Sequence, residues 1–197
     1  MTVFQFGQSA FLPFAIGFFG LGTGYFIWGG QAFFGFPASS PEVDRTIGLW
    51  GIWMPGFMQF ITGVYLMVGM TWFGVFDKAA PVYLAALAFT AYGVHWFVMG
   101  HRRYVGASAQ PDGWMAIPFL IVSILGVIGF IMASDIPVAI LFVGLSLIYL
   151  SEIPARFLSS KTAAKFVSVW QLLTGVWLMY LTYATVFNIA LGQKWWL

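Results

Sequence analysis

The side chains that could do chemistry are few, and most of them lie inside long apolar runs. His95 stands within Phe89-Thr90-Ala91-Tyr92-Gly93-Val94-His95-Trp96. An ionisable group at membrane depth is costly unless it faces a bundle interior or water, which makes His95 a functional candidate. A neutral histidine hydrogen-bonded to a neighbouring carbonyl or glutamine is the alternative reading. Tyr92 lies three residues earlier and shares its helical face, so a path lined by one is lined by the other. Gln59 sits between Gly56 and Gly63, and the last apolar run carries Gln171, Thr174, Gly175, Leu178, Thr182, Thr185 and Asn188 at helical spacing. Such stripes have two uses. Glycines and small polar residues let helices pack closely and hydrogen-bond to one another, and weak polar groups can also line a pore, replacing part of a solute's hydration shell. For Gly17, Gly20 and Gly24 the packing use is expected. Gln59, Thr90, His95, Gln171 and Thr174 are the candidate lining residues. Glu152 and Arg156, four apart, read as an interfacial ion pair, and Asp135 with Pro137 as a helix start.

Other chemistries lack their residues. There is no cysteine for thiol catalysis or disulfides, and two histidines are too few for a histidine-rich metal site. No Gly-rich loop is followed by Lys-Ser/Thr, as nucleotide-driven transport would require. No pair of acids lies within an apolar run. No enzyme activity, no metal and no cofactor is expected. A net charge of +2 with no basic tail or interleaved Arg/aromatic stripe leaves nucleic acid aside.

The elements that must position these groups follow from composition. Of 197 residues, 61% are apolar and 7% charged, where soluble domains carry about 25% charged residues. The surplus apolar surface must face lipid. Six runs of about 20 residues are long enough to cross the hydrocarbon layer as helices, at about 9–29, 48–70, 80–100, 114–133, 136–153 and 166–191. They are continuous rather than alternating, which excludes a β-barrel. The fold class is therefore an all-α integral membrane protein, a single six-helix transmembrane domain over 1–197 without a linker. The first run lacks a preceding basic residue and is too long for a signal peptide, so it is expected to remain in the mature chain. Turns are expected at Pro37 to Pro41, at Asp77-Lys78 and at Gln110 to Gly113.

Arg45, Arg102, Arg103, Arg156, Lys161 and Lys165 fall on one side of this arrangement and only Lys78 and Lys194 on the other. The basic side is expected to be cytoplasmic and both termini extracytoplasmic. Trp50, Trp114, Trp195 and Trp196, near run ends, suit interfacial anchors.

The stretch from Phe89 to Trp96 resembles the Phe-Thr-Ser-Tyr-Gly-x-Phe-Trp segment of the acetate uptake transporter (succinate–acetate permease) family. Gly56 to Gly63 with Gln59, followed by Trp72-Phe73-Gly74, is similar to that family's second helix, and Gly175 to Leu181, leading to Asn188, is similar to its sixth. The resemblance implies a hexamer of six-helix protomers, each with its own pore, narrowed by a Phe of helix 1, the motif Tyr and a Leu of helix 5. By matching motifs these are Phe18, Tyr92 and Leu147. The family's Asn-Pro-Ala-Pro-Leu-Gly signature is replaced here by Ser9-Ala10-Phe11-Leu12-Pro13-Phe14. The acid-activated urea and short-amide channels, also hexamers of six-helix protomers, fit external termini, and the end Lys194-Trp195-Trp196-Leu197 is similar to theirs.

The sequence therefore points to a channel or permease in the inner or plasma membrane for a small polar solute, acetate or another short monocarboxylate. Its expected partners are the solute, membrane lipid and further copies of itself. A urea or amide channel and a non-transporting subunit of a larger complex are the alternatives. With six basic residues against two, a green fluorescent protein fused after Leu197 should stay dark in bacterial cells because it is exported unfolded. Bright cells would reverse the assigned orientation.

Overall fold

The computed structural model describes residues 13–76 and 79–197. The expected turn at Asp77-Lys78 and the Ser9 to Leu12 part of the opening motif lie outside them. Helix α1 (Phe14–Phe34) ends at Gly35, whose φ of +68° suits a residue without Cβ. Helix α2 (Pro41–Gly51) has Ser40 as its cap, the hydroxyl accepting the Val43 N–H at 3.2 Å, with Pro41 at the first position and Glu42 and Asp44 in the first turn. It continues without a break through a π-helical stretch (Ile52–Phe57) into α3 (Met58–Val68) and a second π-helical stretch (Gly69–Phe73). Pro55 lies in the first of these, and the wider turn accommodates a residue that has no N–H to give.

Four long helices follow: α4 (Ala80–Val105), α5 (Asp112–Met132), α6 (Ile136–Phe157) and α7 (Lys161–Leu191). Asp135 caps α6, Oδ1 accepting the Val138 N–H at 3.1 Å, and Ser160 caps α7 through the Ala163 N–H at 3.2 Å. No strand occurs among the described residues.

The helices overrun the apolar windows. The second rod begins at Pro41 rather than 48, so Pro41 opens a helix instead of sitting in a turn. Helix α4 reaches Val105, α6 reaches Phe157 and α7 starts at Lys161. Hydropathy marks the stretch that lies in hydrocarbon, whereas the backbone ladder continues until a cap stops it. Arg102 and Arg103 thereby fall in the last turn of α4, where cations suit the helix dipole.

Among the described residues five helices are long and apolar enough to cross a membrane, the second rod counting as one from Pro41 to Phe73. Helix α1, with 21 residues, is not among them. Its six glycines and Gln31 dilute its apolar content.

Those glycines are spent on contact. Gly20 and Gly24 receive Met58 and Pro55 on one face, and Gly22 and Gly29 receive Met179 and Gln171 of α7 on another. Helix α1 thus packs against α7 and the second rod, α4 against α2 and α3, and α6 against both α5 and α7. Ile121, Leu125, Ile128 and Ile131 leave the outer face of α5 exposed and apolar, as a surface against lipid requires.

A tight backbone crossing joins α2 to α4, where a methyl on Gly48 would stand 2.6 Å from the Gly100 carbonyl oxygen. Gly48→Ala should cost about 1–3 kcal/mol and lower the melting temperature in detergent. Gly30→Ala, with nothing within 4 Å of its added carbon, should leave it unchanged. Equal melting of the two variants would show that the crossing can relax.

Candidate functional site

Two cavities enter the bundle from opposite ends. The first, about 300 Å³, is lined almost entirely by apolar side chains. Phe14, Phe18 and Leu21 of α1, Phe89 and Tyr92 of α4, and Leu141 and Leu145 of α6 form most of its wall. Phe14, Phe18 and Phe89 pack as a ring cluster with centroids 5.6–6.2 Å apart. Leu21, Gln59, Tyr92 and Leu145 are the innermost lining residues of their helices. Asp135 is in the lining too, and burial pushes its carboxyl above the ordinary value while the Val138 N–H pulls it back.

The second cavity, about 720 Å³, belongs to the basic end. Arg45, Arg102, Arg103 and Arg156 line it together with Asp44 and Glu152. Two of the three ion pairs here tie elements together. Arg103 donates to Asp44 Oδ1 from Nη2 at 2.7 Å and from Nε at 3.0 Å, donates also to Gln31 Oε1, and lies 4.8 Å from the centre of the Trp28 ring. Trp28 in turn donates from Nε1 to the Ile47 carbonyl at 3.2 Å. One guanidinium thus fastens α1, α2 and α4. Arg102 reaches Asp112 at the start of α5 at 2.9 Å, and Arg156 reaches Glu152 at 2.7 Å. The expected Glu152–Arg156 pair is present, but Glu152 is buried at the floor of this cavity rather than lying at an exposed rim.

Between the two cavities lies a layer of fully buried aromatic and aliphatic side chains. Tyr25, Trp96, Ile148, Tyr149 and Leu178 are each 0–2% exposed. Trp96 packs edge-on to Trp28 at 5.1 Å and against Tyr25 at 5.9 Å, and Tyr149 stacks on Tyr92 at 6.0 Å with their planes 7° apart. The layer leaves no charged group facing the gap between the cavities, so a bare ion crossing there would find no partner.

The structure brings Phe18, Tyr92 and Gln59 into one cavity wall. Leu147 is half-buried and belongs to neither cavity wall. Leu145, two residues earlier, lines the wall instead. At 100° per residue those two positions differ by about 200° around the helix. Gln171 lines the basic cavity, and Thr174 is buried against Gly144 on α6. Thr90 and His95 face a third space, a lateral groove between α4 and α5. There the Thr90 hydroxyl donates to the Ala86 carbonyl at 2.8 Å, and His95, with no hydrogen-bond partner on either ring nitrogen, packs 4.7 Å from the Phe119 ring. Sequence reasoning missed Tyr25, Trp96 and Tyr149. The signal that could have found Tyr149 was its spacing from Leu145 and Glu152, four residues after one and three before the other, which puts all three on one face.

The sequence matches no protein-family model and no curated protein. Among solved structures the fold matches one titled as the structure of the bacterial acetate channel SatP. The TM-score is 0.71 at 16% sequence identity, over 93% of this chain and 96% of that one. At that identity the likeness establishes the fold alone, an all-helical bundle similar to that of a membrane channel.

Arg103→Ala should destabilise the folded protein by about 2 kcal/mol, because it strips Asp44 and Gln31 of a charged donor. Arg45→Ala, at an exposed residue without an ion-pair partner among the described residues, should be neutral. Thermal melting of both in one detergent checks the difference, and equal midpoints would remove Arg103 from its fastening role.

Proposed function

We propose that the chain forms a transmembrane channel for a small polar solute, acetate or another short monocarboxylate, with the pore inside each protomer. The observation that carries the reading is the pair of cavities entering one protomer from opposite ends, parted only by the aromatic layer. The fold shared with a bacterial acetate channel supports it. The solute gathers at the basic cavity, whose arginines favour anions nearby. It then sheds most of its water at Tyr25, Trp96 and Tyr149, and passes Tyr92 and Phe18 through the apolar cavity. Ions are held back because that wall gives them few polar partners, and desolvating a bare charge is expensive. The protein sits in the inner or plasma membrane with the arginine end cytoplasmic, as the distribution of basic residues suggests. It assembles as a homo-oligomer, with the hexamer of the resembling families as the expected form.

Uptake of labelled acetate and urea into proteoliposomes tests this. Wild type should admit acetate faster than empty liposomes do. Tyr92→Ala should admit longer monocarboxylates as well, with acetate entry kept or raised, because truncating a side chain in a cavity wall widens the path. Entry of urea alone would make this an amide channel. No solute entering above the empty-liposome rate, with Tyr92→Ala equally inert, would leave a non-transporting membrane subunit.

A further inference from the structure

The chain does not run away from the bundle where α7 ends. Gly192, with φ at +63°, lets it reverse, and the Gln193 N–H bonds back to the Phe187 carbonyl at 3.2 Å. Asn188 then holds the tail at two points, Nδ2 donating to the Trp195 carbonyl at 3.0 Å and Oδ1 accepting the Trp195 N–H at 2.7 Å. About two turns deeper along α7, the Tyr180 hydroxyl donates to the Trp196 carbonyl at 2.8 Å. Ring contacts follow the same course. Trp195 lies 5.4 Å from Phe187 and 5.9 Å from Tyr180, and Trp196 lies 6.0 Å from Trp177. Residues 193–197 are thus folded back alongside the last helix.

That course ends in the wall of the apolar cavity. Leu197 lines it together with Pro81 and Val82 from the start of α4 and with Asp135 and Val138 from the start of α6. Both helix starts belong to the end of the bundle opposite the arginines, so Leu197 stands at the cavity mouth, away from Tyr92 at the inner end. The buried core does not lean on the tail. Trp195, Trp196 and Leu197 are 42–54% exposed, and every side-chain hydrogen bond that holds them comes from α7 or from the tail itself. Exposed hydrogen bonds compete with water and hold modestly. The place of Leu197 at the mouth therefore depends on Asn188 and Tyr180 rather than on packing.

We propose that Leu197 is a size-selecting residue at the mouth of the apolar cavity, held over it by the latch that Asn188 and Tyr180 make with the folded-back tail. This rests on the channel reading above and adds a second narrowing to the one at Tyr92. A two-carbon solute passes beside the leucine side chain. A longer one has to push the tail off α7, breaking the Asn188 pair as it does so.

The test uses the full-length protein in proteoliposomes and reads the entry of labelled acetate and labelled butyrate above the protein-free rate. Asn188→Leu keeps the size of the side chain and removes both bonds to Trp195, while Leu197→Ala leaves the latch and removes the obstacle. Each should raise the butyrate-to-acetate ratio about tenfold, the low end of what a methylene decides in an apolar pocket. Leu197→Trp should slow both solutes. The chain has no cysteine of its own, so Leu197→Cys can be labelled alone. A benzyl thiol coupled to it as a disulfide should slow acetate entry severalfold, and reduction in the same vesicles should restore it. Melting temperature should hold in every variant, because residue 197 lies outside the core. A wild-type ratio in both Asn188→Leu and Leu197→Ala, or a benzyl adduct that leaves entry unchanged, overturns the proposal and leaves the channel. So does lowered melting with an unaltered ratio, which makes the tail an anchor for α7. Wild-type liposomes that admit neither solute overturn the channel reading and this proposal together.

Discussion

Helices in hydrocarbon gain little by hiding apolar surface from one another, because lipid tails are as apolar as leucine, so this bundle is held where its backbones come close. The contacts that matter are therefore made by what is missing. Gly22 and Gly29 let α7 settle onto α1, Gly24 takes the ring of Pro55, and Gly48 and Gly100 bring α2 and α4 together carbonyl to Cα. Close approach then decides the interior. With the helices this near, Tyr25, Trp96, Tyr149 and Leu178 close the middle of the bundle, while the two ends splay enough to leave cavities of about 720 and 300 Å³.

The two ends solve opposite electrostatic problems. At the basic end, four arginines and neighbouring acids sit where water can share the cost of charge, and the Arg103–Asp44 pair ties elements far apart in sequence. At the other end, the hydroxyls in and beside the wall turn back onto their own or neighbouring helices, as Thr185 and Ser123 do, leaving the wall apolar apart from Gln59, Tyr92 and Asp135. In the channel proposed above, a solute crossing from one to the other would pass from a cavity lined by charge to one that is nearly without it.

Much of this was legible in the sequence, and the parts that were not share a cause. Continuous apolar runs gave the helices. Tyr92 and Gln59 stood out as polar groups inside apolar runs, Phe18 came from the family resemblance, and the three line one cavity wall. Leu147 could not be told from Leu145, since the helix is apolar all round and the period carries no signal there. The same ambiguity hid Tyr25, while Tyr149 was signalled only by its spacing from Glu152. His95 stood out for its charge, yet it turns toward the groove between α4 and α5, a choice made by the rotation of α4 against its neighbours rather than by anything within the helix. The arginine cavity was hidden for another reason. Its residues come from stretches separated by more than fifty positions, and only folding puts Asp44 beside Arg103.

The glycines of α1 bear on the order in which the bundle can be assembled. Among the described helices α1 is the first to leave the ribosome. Its largest partner, α7, is also the last helix to be made. Until α7 arrives, the grooves at Gly22 and Gly29 have no Met179 or Gln171 to fill them, and that face of α1 waits with its backbone poorly covered. Assembly of this bundle is therefore completed by joining its first described helix to its last, α7 sealing α1 in place.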